Sequence, residues 1–161
     1  NRLMFEELSN VDMFITTQIA AVDVSKHLLV VASAGHCPLL VTDARREVHI
    51  VATQGLPLGI LPEVLFTETS IPLSPGSCAL FYTDGLTETR NANGDFFGQV
   101  RLEDWLREVP TASHSATQLK ERFLTELECF RGSTPPTDDL TLLIFKDETQ
   151  SSAPGQAAAV A

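Results

Sequence analysis

Carboxylates stand at the boundaries of two short apolar stretches. Tyr82-Thr83-Asp84-Gly85 is entered through Leu80 and Phe81, and Asp138-Asp139-Leu140-Thr141 leads out through Leu142, Leu143, Ile144 and Phe145. A strand end is a rigid anchor for a ligand, and oxygen-only carboxylate sites suit Mg²⁺ or Mn²⁺. Adjacent acids such as Asp138 and Asp139 repel unless a cation or a donor relieves them, which points to a metal. Asp84 has a blander reading, because Asp-Gly is a common turn pair. The chemistry depends on whether the two strand ends meet around a cation.

The elements that must position them follow from residue pattern. A helix ends within residues 1–10, on Leu3, Met4, Phe5 and Leu8. Met13 to Val24 and His27 to Ser33 read as strands, which makes Asp23 to Lys26 a hairpin turn. Strands around Pro38 to Thr42 and Val48 to Thr53 flank the polar turn Asp43-Ala44-Arg45-Arg46, and Gly55 to Gly59 is a turn-rich loop. Val64 to Ile71 and Ser77 to Tyr82 are further strands, joined by Pro72-Leu73-Ser74-Pro75-Gly76.

The pattern then changes. Thr87 to Gly98 is a polar loop, and Val100 to Glu108 is a short helix stopped by Pro110. Ser115 to Phe130 is the strongest helix. Ser115 and Gln118 form a capping box, and Leu119, Phe123, Leu124, Leu127 and Phe130 make one apolar stripe. Leu140 to Lys146 is the last strand, and Ser151 to Ala161 reads as a disordered tail.

Short connections make the sheets mostly antiparallel. Yet Leu28 to Ala32 is apolar on both faces, so that strand is covered on both sides. Two stacked sheets with helices on the outer faces satisfy both facts, an α+β layered architecture. The expected organisation is one domain over residues 1–147, with a tail over 148–161.

Bulk properties narrow the function. The 161 residues, 43% of them hydrophobic, suffice for one core. No apolar run reaches membrane-spanning length, so this segment has no membrane contact. A net charge of −10 argues against nucleic acid. Cys37, Cys78 and Cys129 are odd in number and lack metal-type spacing; they read as small buried hydrophobes in a reducing cytoplasm. The first residue is Asn1 and not Met, so an upstream portion of the protein is expected.

Six blocks in order carry a family resemblance from Phe14 to Phe145. They are Ala34-Gly35-His36 with Pro38, Pro57-Leu58-Gly59, Leu73 with Pro75-Gly76, Tyr82-Thr83-Asp84-Gly85-Leu86-Thr87-Glu88, Phe97-Gly98, and Asp138-Asp139-Leu140-Thr141. The chain resembles the SpoIIE/RsbU-type branch of the PPM (PP2C-like) serine/threonine phosphatases. The resemblance implies an αββα sandwich and metal-assisted hydrolysis of phosphoserine or phosphothreonine with two Mn²⁺ or Mg²⁺ ions. Asp84 matches the family's central metal Asp-Gly, Asp138 its C-terminal metal Asp, and Asp139 the neighbouring position that holds Asp or Asn.

It further implies an output domain of a bacterial signalling protein with an upstream sensor, in the cytoplasm. The substrate would be a phosphorylated partner-switching protein of the anti-sigma-factor-antagonist type. The family's first metal motif, an Asp before Gly-His-Gly, bridges the two metals and has no counterpart here. Asp23-Val24-Ser25-Lys26-His27 imitates it without its glycines and reads as a turn. The fragment alone is therefore expected to be inactive, and a non-catalytic PPM-fold regulatory or protein-binding domain is the alternative. His36 is assigned to loop structure, Glu88 and Arg90 to solvated surface, and Arg101, Glu103, Asp104 and Arg107 to a wet helix face.

Overall fold

The computed structural model describes residues 1–43, 45–52 and 55–148. Ala44, Thr53 and the expected tail at Ser151 to Ala161 lie outside the described residues. The elements are α1 (Arg2–Ser9), β1 (Thr17–Asp23), β2 (Leu28–Ala34), β3 (Leu39–Thr42), β4 (Val48–Val51), β5 (Glu68–Pro72), β6 (Cys78–Tyr82), α2 (Asp84–Thr87), α3 (Gly98–Glu108), α4 (Ala116–Arg131) and β7 (Leu142–Lys146).

Two antiparallel sheets result, ordered β1-β2-β5 and β4-β3-β6-β7. They stack face to face: Leu29 and Val31 of β2 pack with Leu39, Val41 and Ala79 of the second sheet, all buried. This accounts for one apolar face of β2, whose Leu29, Val31 and Ser33 point into the sandwich; Leu28, Val30 and Ala32 on the other face are only half-buried, so the expected cover on both sides is incomplete. On its other face the second sheet is covered by α3 and α4, where Leu40, Leu80 and Tyr82 meet Leu102, Leu106, Leu119 and Phe123. Phe97, Trp105, Phe123 and Phe130 interlock edge-to-face within that layer.

The capping box forms as read. Gln118 N donates to Ser115 Oγ (3.2 Å) and Ser115 N donates to Gln118 Oε1 (2.8 Å). Of the apolar stripe, Leu119, Phe123 and Leu127 are buried.

Four expectations need correction. Val64 to Thr67 is not strand; Leu65 is 94% exposed, and pairing with β2 starts only at Glu68. Apolar residues without a partner strand do not make sheet. Pro72 instead closes β5, which its edge position permits, because no ladder bond is required on the open side. The polar loop from Thr87 gives up that residue to α2 and then closes on itself through Asn91, whose Oδ1 accepts from Asn93 N (2.9 Å) and Asp95 N (3.0 Å). Cysteine burial is uneven: Cys78 is buried and Cys37 half-buried, but Cys129 is exposed on α4, and all three are free thiols.

Candidate metal centre

The two acidic strand ends are joined by a β-ladder. β6 and β7 pair antiparallel, with Cys78 opposite Lys146 and Tyr82 opposite Leu142. The pairing continues past the strands: Thr83 N donates to Thr141 O (3.2 Å) and Thr141 N donates to Thr83 Oγ1 (3.0 Å). Thr83 Oγ1 also reaches Asp139 O at 3.4 Å. The backbones then touch, since a Cβ on Gly85 would lie 2.4 Å from Asp139 O and 3.5 Å from Asp138 Cβ. Only a glycine allows that approach.

Asp84 opens α2 from the extended Thr83, and Glu88 N closes the turn on Asp84 O at 2.8 Å. Thr89 Oγ1 donates to Gly85 O (2.9 Å) and anchors the turn to buried structure. The Asp84 and Asp138 carboxylates each accept one adjacent amide, from Gly85 N (3.0 Å) and Asp139 N (2.7 Å). Asp84, Asp138 and Asp139 are all exposed, and none is ion-paired to Lys, Arg or His among the described residues.

By donor type the three carboxylates suit a hard cation, since oxygen ligands match Mg²⁺ or Mn²⁺. The set is nonetheless open: its oxygens do not all lie within 4.8 Å of one another. Among the described residues, the group that does converge within that distance is Asp43, Glu47 and His49, at the opposite end of β3. Sequence reading did not single it out. Asp43 Oδ1 already serves the turn, accepting from Arg45 N (2.8 Å) and Glu47 N (3.0 Å).

The neighbours of the acidic pair are now placed. Cys37 has its thiol pKa raised by burial and by the charges of Asp84 and Glu88, so it stays a neutral thiol beside them. His36 holds loop structure through backbone N–H to Ser33 Oγ (3.2 Å) and a ring contact of 3.2 Å between Nδ1 and Thr16 Oγ1. Arg90 is exposed, lies over the Phe96 ring at 4.1 Å and donates to Gly94 O.

Asp23 proves to be a turn residue. Its carboxylate takes Ser25 Oγ (2.7 Å), Lys26 N (3.1 Å) and Lys26 Nζ (2.8 Å), and bonding to Lys26 and then Ser25 lowers its pKa. The wet face of α3 needs one correction. The Glu103 side chain is only 12% exposed and holds Arg107 (2.8 Å) and Gln99 (2.8 Å), while Arg101 lies over the Phe130 ring at 4.9 Å.

With the fold and this acidic junction in place, comparison with known proteins defines the class. A family model described as Stage II sporulation protein E (SpoIIE) matches residues 1–147. The chain belongs to the SpoIIE family, and its two antiparallel sheets with helices form the PP2C-like phosphatase fold. It is similar to Protein IcfG of Synechocystis sp. (30% identity over 144 residues, 89% of this chain and 22% of that protein). It is also similar to phosphoserine phosphatase RsbU of Bacillus subtilis (28% over 149 residues, 91% of this chain and 42% of that protein). Among solved structures, the SiaA-PP2C domain of Pseudomonas aeruginosa superposes with a TM-score of 0.76 at 26% identity, covering 89% of this chain and 56% of that one. The chain thus spans less than half the length of these curated relatives. Among the described residues, no helix is long and apolar enough to cross a membrane.

Proposed function

We propose that this chain is most of a metal-dependent protein serine/threonine phosphatase domain, the output module of a bacterial partner-switching signalling protein. The observation that carries the reading is the contact of Gly85 with Asp139, which brings Asp84 beside the Asp138-Asp139 pair. Asp84 and Asp138 would hold the cation, with Asp139 adjoining. A bound Mn²⁺ or Mg²⁺ supplies an acidified water and offsets charge on phosphoryl oxygens.

The residues themselves orient and hold. Thr83 and Thr141 lock the ladder end that fixes both carboxylates, and Thr89 pins the α2 turn. His36 shapes the loop alongside and is not assigned a proton. The substrate class is a phosphoserine or phosphothreonine protein of the anti-sigma-factor-antagonist type, and RsbU, a relative, is named a phosphoserine phosphatase. A sensor module elsewhere in the protein and a cytoplasmic setting belong to the same reading.

A second reading has its own support. Within residues 1–161 the three carboxylates do not converge as a ligand set, and the family's bridging Asp has no counterpart. A non-catalytic PPM-fold regulatory domain accounts for that equally well. Phosphate release from a phosphorylated anti-sigma-factor antagonist by the intact protein in Mn²⁺ separates them. Turnover that disappears in Asp84→Asn supports the enzyme; no turnover by the wild type supports the binding domain.

A further inference from the structure

The helical layer carries a groove between α3 and α4. Arg101, Asp104, Trp105 and Glu108 recur at the spacing of one helix face, and Glu126 and Phe130 do so on α4. The two faces wall a space of about 460 Å³. Trp105, the chain's one tryptophan, lines it and is only partly buried, although its ring packs on Phe123 at 4.8 Å.

The charges in this groove are unbalanced. Arg101 is committed within the domain: it donates to Phe96 O (2.8 Å) and Phe97 O (3.0 Å) and lies over the Phe130 ring at 4.9 Å. Asp104 is taken by Arg107 at 2.6 Å. Glu108 and Glu126 are exposed and pair with no Lys, Arg or His among the described residues. Arg122, one turn before Glu126, turns its guanidinium to His114 Nε2 instead (3.5 Å).

Two unpaired carboxylates therefore share the groove with a half-covered indole. An indole face attracts a cation, and a planar guanidinium stacks on it while giving its N–H donors to carboxylates alongside. The stacking of Arg101 on Phe130 is the same chemistry within the domain. A second copy of this chain, at net charge −10, meets the groove with like charge. An apolar ligand answers the indole and not the carboxylates.

We propose that the α3–α4 groove docks an arginine-bearing basic segment of a partner protein, its guanidinium stacked on Trp105 and bonded to Glu108 and Glu126. None of these residues belongs to the β6–β7 junction, so the inference stands whether or not the domain hydrolyses phosphate.

Acetyl-triarginine amide, titrated into the intact protein at about 0.15 M salt, is the probe. The readout is the Trp105 indole N–H resonance, identified by its loss in Trp105→Phe. It should shift saturably with the arginine peptide and stay in place with the uncharged citrulline isostere. Glu108→Gln combined with Glu126→Gln should weaken the apparent Kd roughly fivefold or more, through two lost ion pairs. Glu6→Gln with Glu7→Gln, exposed on α1 outside the groove, removes the same charge and should change Kd less than about twofold, because distant charges are screened. An unmoved indole resonance overturns the proposal. So does an equal shift with the citrulline peptide, or equal weakening by the α1 pair, which would mark nonspecific attraction to an acidic chain. A shift that grows with protein concentration and no probe makes a second copy the occupant and overturns it too.

Discussion

Gly85 lies against the main chain of Asp139, so closely that a single added methyl would stand 2.4 Å from its carbonyl oxygen. Residues far apart in sequence are thereby held in register by Thr83 and Thr141, and the register brings the main chain at Asp84-Gly85 beside that of Asp138-Asp139. The β6–β7 ladder is the device that positions the candidate chemistry.

Gly85→Ala should therefore act on site and stability together. Forcing a Cβ against backbone costs about 2 kcal/mol of overpacking, and the Asp84 turn must move to accept it. A lower thermal midpoint with weakened Mn²⁺ binding is the expected pair of results. An unchanged melt and unchanged binding would show that the contact is not tight in solution.

In the intact protein, Asp84→Asn keeps side-chain shape and removes the charge that would hold the cation. A loss of roughly 100-fold or more in kcat is expected, with a nearly unchanged melt, because the residue is exposed and unpaired. His36→Ala should lose much less turnover and about 1 kcal/mol of stability, through the ring's contact with Thr16, while the backbone N–H bond to Ser33 Oγ stays. Kinetics at saturating Mn²⁺ paired with melts decide between the roles. A dead His36→Ala with a normal melt would reverse the assignments.

Tyr82 is the chain's one tyrosine, is 3% exposed at the end of β6, and has its pKa pushed up to about 12, first by burial and then by Cys37 and Glu103. Its folded value lies above the unfolded value near 10. The stability it contributes is thus complete below pH 10 and is lost as pH rises from 10 towards 12. Phenolate absorbance should titrate about two pH units higher in native than in denatured protein. Tyr82→Phe should flatten the alkaline fall in stability; an ordinary midpoint near 10 in the native protein would contradict the burial.

Ser115→Ala removes one half of the α4 capping box and should cost about 1 kcal/mol in chemical denaturation. Since α4 packs Leu119, Phe123 and Leu127 onto the second sheet, the loss should appear as a shift in global midpoint and not as local fraying.

How far the chain could be read depends on which forces are local. The α4 boundaries were legible because Ser115, Gln118 and the apolar stripe act within one helix. The β1–β2 hairpin was legible for the same reason, with Asp23 capping its own turn. Val64 to Thr67 misled because strand identity needs a partner, and Leu65 finds none among the described residues. The contact of Gly85 with Asp139 was legible only as an expectation that two strand ends meet, since nothing near Gly85 in sequence specifies the register. Asp43, Glu47 and His49 escaped notice because β3–β4 pairing, not spacing, gathers them. The groove between α3 and α4 had no signature of its own, because helical spacing gathers Asp104, Trp105 and Glu108 but only packing sets Glu126 across from them.

The central claim is that Asp84 and Asp138 form a cation site, and Mn²⁺ titration followed by electron paramagnetic resonance tests it most directly. Residues 1–161 should bind Mn²⁺ weakly, since the carboxylates are not gathered into a closed set, and should hydrolyse p-nitrophenyl phosphate poorly or not at all. Asp84→Asn and Asp138→Asn should each abolish the binding, while Asp43→Asn with His49→Ala leaves it intact. Binding that survives the first two variants and disappears in the last would place the cation at the far end of β3 and contradict the account.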